Sequence, residues 1–232
     1  MRASSITAWA VSRGNTEKVM KFSDLASLDS VNLYAGDVPD MPEYRSRQTI
    51  GLSLRRNDTR HIRHDVSKPL PIPDESVDSY QSEDVFEHVE LKKLPATISE
   101  VYRVLKKGGL FRLSMPDYRC DILVDRSLKD ADGNILFDPM GGGAYKRRPM
   151  FFGEKKVVRG GHVWFPKYET VFALLKDTPF SSVEFLHYYD ENGVAYTKTI
   201  DYTKGFVKRT PDNDDRVSLP FRPMSIVVDC IK

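Results

Sequence analysis

The chain has 232 residues, 40% of them hydrophobic and 29% charged, with a formal net charge of +2. That is length enough for a full core and a charge too mild to signal a nucleic-acid partner. Cys120 and Cys230 make no disulfide framework, no Cys/His cluster has zinc spacing, and no apolar run is long enough to span a membrane. A reduced, cytoplasmic setting is expected, with no metal ligands evident from spacing alone.

Taken in order, residues 1–28 read as a leading arm that ends in a helix over Asn15–Leu28, with Val19, Phe22, Leu25 and Leu28 on one side. The basic, acid-free first sixteen residues have a faint transit-peptide composition, but they read better as an arm packed on the domain. Val31–Tyr34 is a short strand broken at Ala35-Gly36-Asp37. Gln48–Leu54 and His61–His64 are the next two strand candidates, and a Pro-punctuated loop (Pro69, Pro71, Pro73) leads to a fourth over Ser76–Ser82. A helix then runs to about Lys107. Leu91, Leu94, Ile98, Val101, Val104 and Leu105 form its apolar face, and Gly108 stands where a positive φ is wanted. A strand over Leu110–Met115 completes a strand–helix–strand unit of the parallel type.

After Pro116-Asp117-Tyr118 comes a short helix to about Ser127. A long insertion, about 129–161, carries Asp132-Gly133-Asn134 and Gly141-Gly142-Gly143, and loops of this length are usually lids or binding loops. It ends in Gly160-Gly161-His162-Val163-Trp164-Phe165. Pro166 opens a helix over Lys167–Lys176, Ser182–Tyr189 alternates as a strand, Glu191-Asn192-Gly193 signals a turn, and Met224–Ile231 is a closing strand. Ile200–Lys208 is ambiguous. The basic clusters at Arg55–Arg56, Lys146–Arg148 and Lys155–Lys156 read as solvated loop charges. Residues 29–232 are expected to form one domain.

The run from His64 to Tyr118 carries a resemblance. Asp65, Leu70-Pro71, Asp74, Ser76-Val77-Asp78, Ser82, Glu87-His88, Glu100, Arg103–Lys106 and Gly108-Gly109 together resemble the middle of class I S-adenosylmethionine-dependent methyltransferases of the small type 11 group. The resemblance spans roughly a quarter of the chain. It implies a Rossmann-like α/β fold with seven strands, mostly parallel, an antiparallel last strand and helices on both faces. It also implies S-adenosylmethionine as cofactor. In the group, a glycine-rich loop follows the first strand; here only Gly36 of that pattern is present, with Tyr34 and Val38 in the flanking positions. The second strand ends in the group with an acid for the ribose hydroxyls. Ser53, or Leu52 by a one-residue shift, stands there in this chain, with Ser53 or Leu54 expected beside the ribose. Asp65 is aligned with the adenine-binding acid.

The implied cofactor residues are therefore Tyr34, Ala35, Gly36, Asp37, Ser53, Leu54, Asp65, Val66, Ser82 and Glu83. Methyl transfer to a hydroxyl needs the acceptor held in line and a base to take its proton. Asp84, Asp117 and His162 are the candidates, His162 foremost because an unperturbed imidazole is half-ready at neutral pH. His88 reads as a brace rather than a base. Ser82-Glu83-Asp84-Val85 replaces the Pro-aromatic corner of base-methylating enzymes, which disfavours nucleobases and suits a hydroxylated acceptor. Members of the group occur in surface-glycan pathways, so the resemblance points to a sugar or glycan hydroxyl, with Trp164, Phe165, Tyr188 and Tyr189 as stacking faces or core. Another small metabolite, or a methyltransferase-like binding protein without activity, is the alternative. The oligomeric state and any assistance by a metal stay open.

Overall fold

The computed structural model of the protein describes residues 18–45, 47–141 and 161–232. In chain order the strands are β1 (Asn32–Ala35), β2 (Ile50–Ser53), β3 (His61–Arg63), β4 (Val77–Glu83), β5 (Leu105–Pro116), β6 (Leu128–Lys129), β7 (Ile135–Phe137), β8 (Ser182–Tyr189), β9 (Ala195–Thr197) and β10 (Ser225–Ile231). The helices are α1 (Pro42–Arg45), α2 (Leu94–Val104), α3 (Asp121–Arg126), α4 (Tyr168–Leu175) and α5 (Asp215–Ser218). Eight strands form one sheet in the order β3-β2-β1-β4-β5-β10-β8-β9, and β6 and β7 form a separate hairpin. Strands β1 to β5 pair parallel, and β10 runs antiparallel to both β5 and β8. This is the expected Rossmann-like sheet with one strand more than the seven anticipated. The addition is β9, folded back on β8 by a turn at Gly193, whose φ is +78°.

Every residue of β1 and β2 is buried, as interior parallel strands covered on both faces require. Leu94, Ile98, Val101 and Val104 of α2 lie in the same core as Leu33, Tyr80 and Phe111 of the sheet. Leu91, expected on that face, is exposed. The helix also ends earlier than its periodicity suggests. The Glu75 and Ser76 amides donate to the carbonyls of Arg103 (3.1 Å) and Val104 (2.9 Å), and Leu105 is already paired with Val77 as strand. Gly108 has the positive φ anticipated, +75°, but in the irregular start of β5, where its N–H donates to the Lys232 carbonyl. Part of the motif is bracing: the Arg103 fork holds Glu100 and the carbonyls of Leu70 and Ile72, which fixes the Pro-rich loop.

The N-terminal helix is reduced to a 3-10 helix, Phe22–Ser27, and residues 1–17 of the expected arm lie outside the described residues. So do residues 142–160 of the insertion, with the Lys146–Arg148 and Lys155–Lys156 clusters. The ambiguous 200–208 segment holds a short 3-10 helix, Tyr202–Lys204. It is pinned to the sheet by Arg112 on β5, which is 1% exposed. The Arg112 guanidinium pairs in bidentate fashion with Asp229 on β10 (2.7 and 2.6 Å) and donates to the carbonyls of Asp201 and Gly205.

Candidate active site

The carboxyl ends of β1, β2, β3 and β4 open into one cavity of about 530 Å³. This is where ligands sit in open parallel sheets. Its wall includes Gly36, Ser53, Asp65, Glu83, Asp84 and His88. A larger cavity, about 690 Å³, lies against Met20, Val38, Arg45 and His61 and shares none of these strand-end residues.

At the β1 end Gly36 has φ +91°, and an added Cβ would stand 3.1 Å from Val85 Cγ2, so glycine is required where the backbone meets the cavity. The residues that replace the rest of the glycine pattern are accommodated elsewhere. The Tyr34 ring packs edge-on against Tyr44, and its hydroxyl donates to Glu83 Oε2 at 3.4 Å. The Val38 amide donates to His61 Nε2 at 3.0 Å, which fixes the loop without further glycines. Ser53 Oγ accepts the amides of Arg55 (3.0 Å) and Arg56 (2.8 Å), leaving its proton to offer a ligand. Asp65 is exposed at the end of β3 and caps a turn, accepting from the Ser67 amide (3.0 Å) and hydroxyl (2.8 Å). Burial works against its charge, but the Ser67 bonds outweigh it and hold the carboxyl below its usual range. The lining fits an adenosyl group at the Gly36 and Asp65 side. It lacks the ribose-binding acid at the end of β2, as Ser53 already announced.

The β4 side is acidic and largely dry. Glu83 accepts from the Tyr44 hydroxyl and, at 2.8 Å, from the Lys208 amide. Burial, then repulsion from Asp84, pushes its carboxyl up to about 7. Asp84 has φ +55°, is 35% exposed in its side chain and pairs with Arg209. Glu87 is fully buried, and among the described residues neither of its oxygens has a hydrogen-bond partner. Burial and the nearby Asp84 raise its pKa well above the ordinary carboxylate range. Its Oε1 stands 3.5 Å from His162 Nε2, and the His162 and His88 rings meet edge-to-face at 4.8 Å. Behind His162, Tyr118 contacts its Nδ1 and donates to Asp138 Oδ2 (2.7 Å), which also accepts from Arg126 (2.6 Å).

Nine of the ten cofactor residues read from the sequence border the cavity; Ser82 is fully buried and does not. Asp84 borders it too. Asp117 does not: its oxygens accept the amides of Arg119 (3.0 Å) and Tyr189 (2.8 Å), tying the end of β5 to the end of β8. His162 stands behind His88 rather than in the cavity wall, and burial, then the neighbouring His88, lowers its pKa to about 3. It is therefore not the half-protonated surface imidazole that its Gly-Gly-His context suggested. His88, read as a brace, borders the cavity, as does His64 at the end of β3. None of the four candidate aromatics lines it. Trp164 donates its indole N–H to the Phe86 carbonyl, Tyr189 is core, Phe165 packs on Tyr118, and Tyr188 stacks between Tyr168 and Tyr196. Arg209, Tyr118 and Asp138 carried no sequence signal.

Residues 44–113 match a family model described as a methyltransferase domain. No curated protein matches the sequence. Similar solved structures include an S-adenosylmethionine-dependent methyltransferase from Archaeoglobus fulgidus (12% identity, 88% of this chain and 87% of that one, TM-score 0.47). Another is a possible histamine N-methyltransferase from Thermotoga maritima (14%, 91% and 86%, TM-score 0.46). A third is from Methanosarcina mazei (12%, 88% and 92%, TM-score 0.47). Among the described residues no helix is long and apolar enough to cross a membrane. The family match takes in β2, β3 and β4 of the strands that frame the cavity.

Proposed function

We propose that the protein transfers the methyl group of S-adenosylmethionine to a hydroxyl of a sugar or glycan. The observation that carries this reading is the polar wall at the end of β4. Where base-methylating enzymes place a proline and an aromatic ring, this cavity presents Glu83 and Asp84, with His88 close by. Carboxylates suit vicinal hydroxyls, which donate to them, and suit a flat base poorly. The glycan end of the proposal rests on the resemblance to the type 11 group; the aromatic rings expected to stack on a sugar lie away from the cavity.

In this reading the cofactor supplies an activated methyl on a sulfonium. Gly36 lets the backbone approach it, Asp65 accepts from the adenine amine, and Ser53 donates to the ribose. Asp84 is the base. It is the β4 carboxylate with an exposed face, burial raises its pKa against the pull of Arg209, and that paired guanidinium fixes its position. Asp117 and His162 leave the list of bases, because one is saturated by amides and the other is screened from the cavity. The test is transfer of labelled methyl from S-adenosylmethionine to panels of sugars and nucleotide sugars, catechols and amines. Labelled sugar is the expected product, and Asp84→Asn should lower kcat by about 10²–10⁴ with cofactor affinity kept. Transfer to amines or catechols alone would redirect the acceptor; full activity in Asp84→Asn would remove the base.

A further inference from the structure

We propose that Glu87, His88 and His162 form a binding site for a divalent ion of the first transition row. One donor atom from each of the three residues lies within 4.8 Å of the others. Donor atoms about 2.0–2.2 Å from a tetrahedral ion sit roughly 3.4 Å apart. His162 Nε2 and Glu87 Oε1, at 3.5 Å, are already at that separation. Only His88 has to draw in, and its ring is anchored by a single bond to a backbone carbonyl.

The tautomers are set for it. His88 Nδ1 is 3.0 Å from the Gly161 carbonyl, which can only accept, so the proton is on Nδ1 and Nε2 is bare. Tyr118 gives its proton to Asp138, so its oxygen accepts from His162 Nδ1, and His162 Nε2 is bare as well. A ligand histidine commonly has its second nitrogen held in this way by a carbonyl or, through a relay, by a carboxylate. Glu87 supplies the third donor from a fully buried carboxylate without a partner among the described residues. Such a group is rare in a native interior and needs something to satisfy it. A proton shared with His162 is the other means, but 3.5 Å is beyond a good hydrogen bond.

The surroundings are acidic: among the described residues, Arg209 pairs with Asp84 and Arg126 with Asp138, and no cation pairs with Glu83. Two imidazoles and one carboxylate suit Zn²⁺, Co²⁺ or Fe²⁺ better than Mg²⁺ or Ca²⁺, which prefer oxygen. His88 borders the cavity, so the open positions of such an ion would lie toward the bound acceptor.

The site does not depend on which acceptor is methylated, and its test needs none. The full, tag-free chain is stripped with a chelator and titrated with ZnCl₂ by calorimetry and with CoCl₂ by visible absorption, with MgCl₂ as a control. One equivalent of Zn²⁺ should bind, Co²⁺ should give a low-symmetry d–d spectrum, and the melting temperature should rise with either ion. Glu87→Gln, nearly the same shape, should lose at least about 100-fold in affinity, and Tyr118→Phe about 10-fold. If Glu87→Gln does not fold, His88→Ala at the cavity edge takes its place with the same expected loss. Absence of saturable Zn²⁺ and Co²⁺ binding by the wild-type chain, or unchanged affinity in the folded Glu87 or His88 variant, overturns the proposal.

Discussion

Two buried ionisable groups in this molecule are built on opposite lines. Across β5 and β10, Arg112 has its guanidinium nitrogens engaged, by both oxygens of Asp229 and by two carbonyls. At the end of β4, Glu87 is just as deeply buried, and its oxygens find no donor among the described residues. A buried charge that braces a fold is satisfied by the fold itself, because leaving it unpaired costs several kcal/mol. One that the fold leaves unsatisfied, beside two histidines and at the back of a cavity, marks where a ligand or a proton completes the structure. The first group clamps the sheet; the second stands beside two histidines, next to the residues that border the cavity.

The contrast breaks most visibly if the clamp is dispensable. Asp229→Ala strands a guanidinium that is 1% exposed and should cost about 3–5 kcal/mol in urea unfolding; a loss below about 1 kcal/mol would mean that Arg112 finds another partner. Asp65→Ala tests the cofactor side of the cavity. Loss of a charge-assisted hydrogen bond to the adenine should weaken S-adenosylmethionine binding by about 1.5–3 kcal/mol, read by calorimetry, with the melting temperature kept. Unchanged affinity would leave Asp65 with the Ser67 turn alone.

Glu83 sharpens the comparison through pH. Its folded pKa is raised to about 7 from an ordinary 4.5, so its contribution to stability is full below pH 4.5 and is lost as pH rises through 7. Because His162 is shifted in the opposite direction, the useful quantity is a difference. The melting temperature of Glu83→Gln should gain on the wild type steadily from pH 5 to pH 8, and a flat difference would show that Glu83 titrates normally. The smallest effect is expected at Glu87 itself. Without metal, Glu87→Gln exchanges one unsatisfied polar group for another and should change stability by no more than about 1 kcal/mol. A large loss in chemical denaturation would make Glu87 a brace like Arg112.

That Gly36, Ser53, Asp65 and Glu83 meet at one cavity was legible in the sequence because each part is local. Each stands at or just past the end of a strand, and a parallel sheet brings such ends together whatever the loops do. Ser53 in place of an acid was equally legible, and in the structure its hydroxyl holds two amides of the turn. The chemistry at the end of β4 was not legible. His162 and Arg209 arrive from 75 and 125 residues beyond Glu87 and Asp84, and no local period places them there. His162 was noticed for its glycines, which say nothing of burial, whereas its pKa is set by burial and by His88. Asp117 misled for a related reason: an acid at a strand end looks free until the Tyr189 amide of another strand is seen to bind it. At the other edge, β9 escaped because Ala195–Thr197 is exposed on every residue and carries no alternation.

The central claim is that the cavity at the ends of β1 to β4 holds S-adenosylmethionine although its loop keeps one glycine and no ribose acid. Calorimetric titration of the full chain with S-adenosylmethionine, and in parallel with S-adenosylhomocysteine, tests it most directly. Both should bind saturably at a single site, each competing with the other. No binding heat from either, in protein shown to be folded by its melting transition, would contradict it.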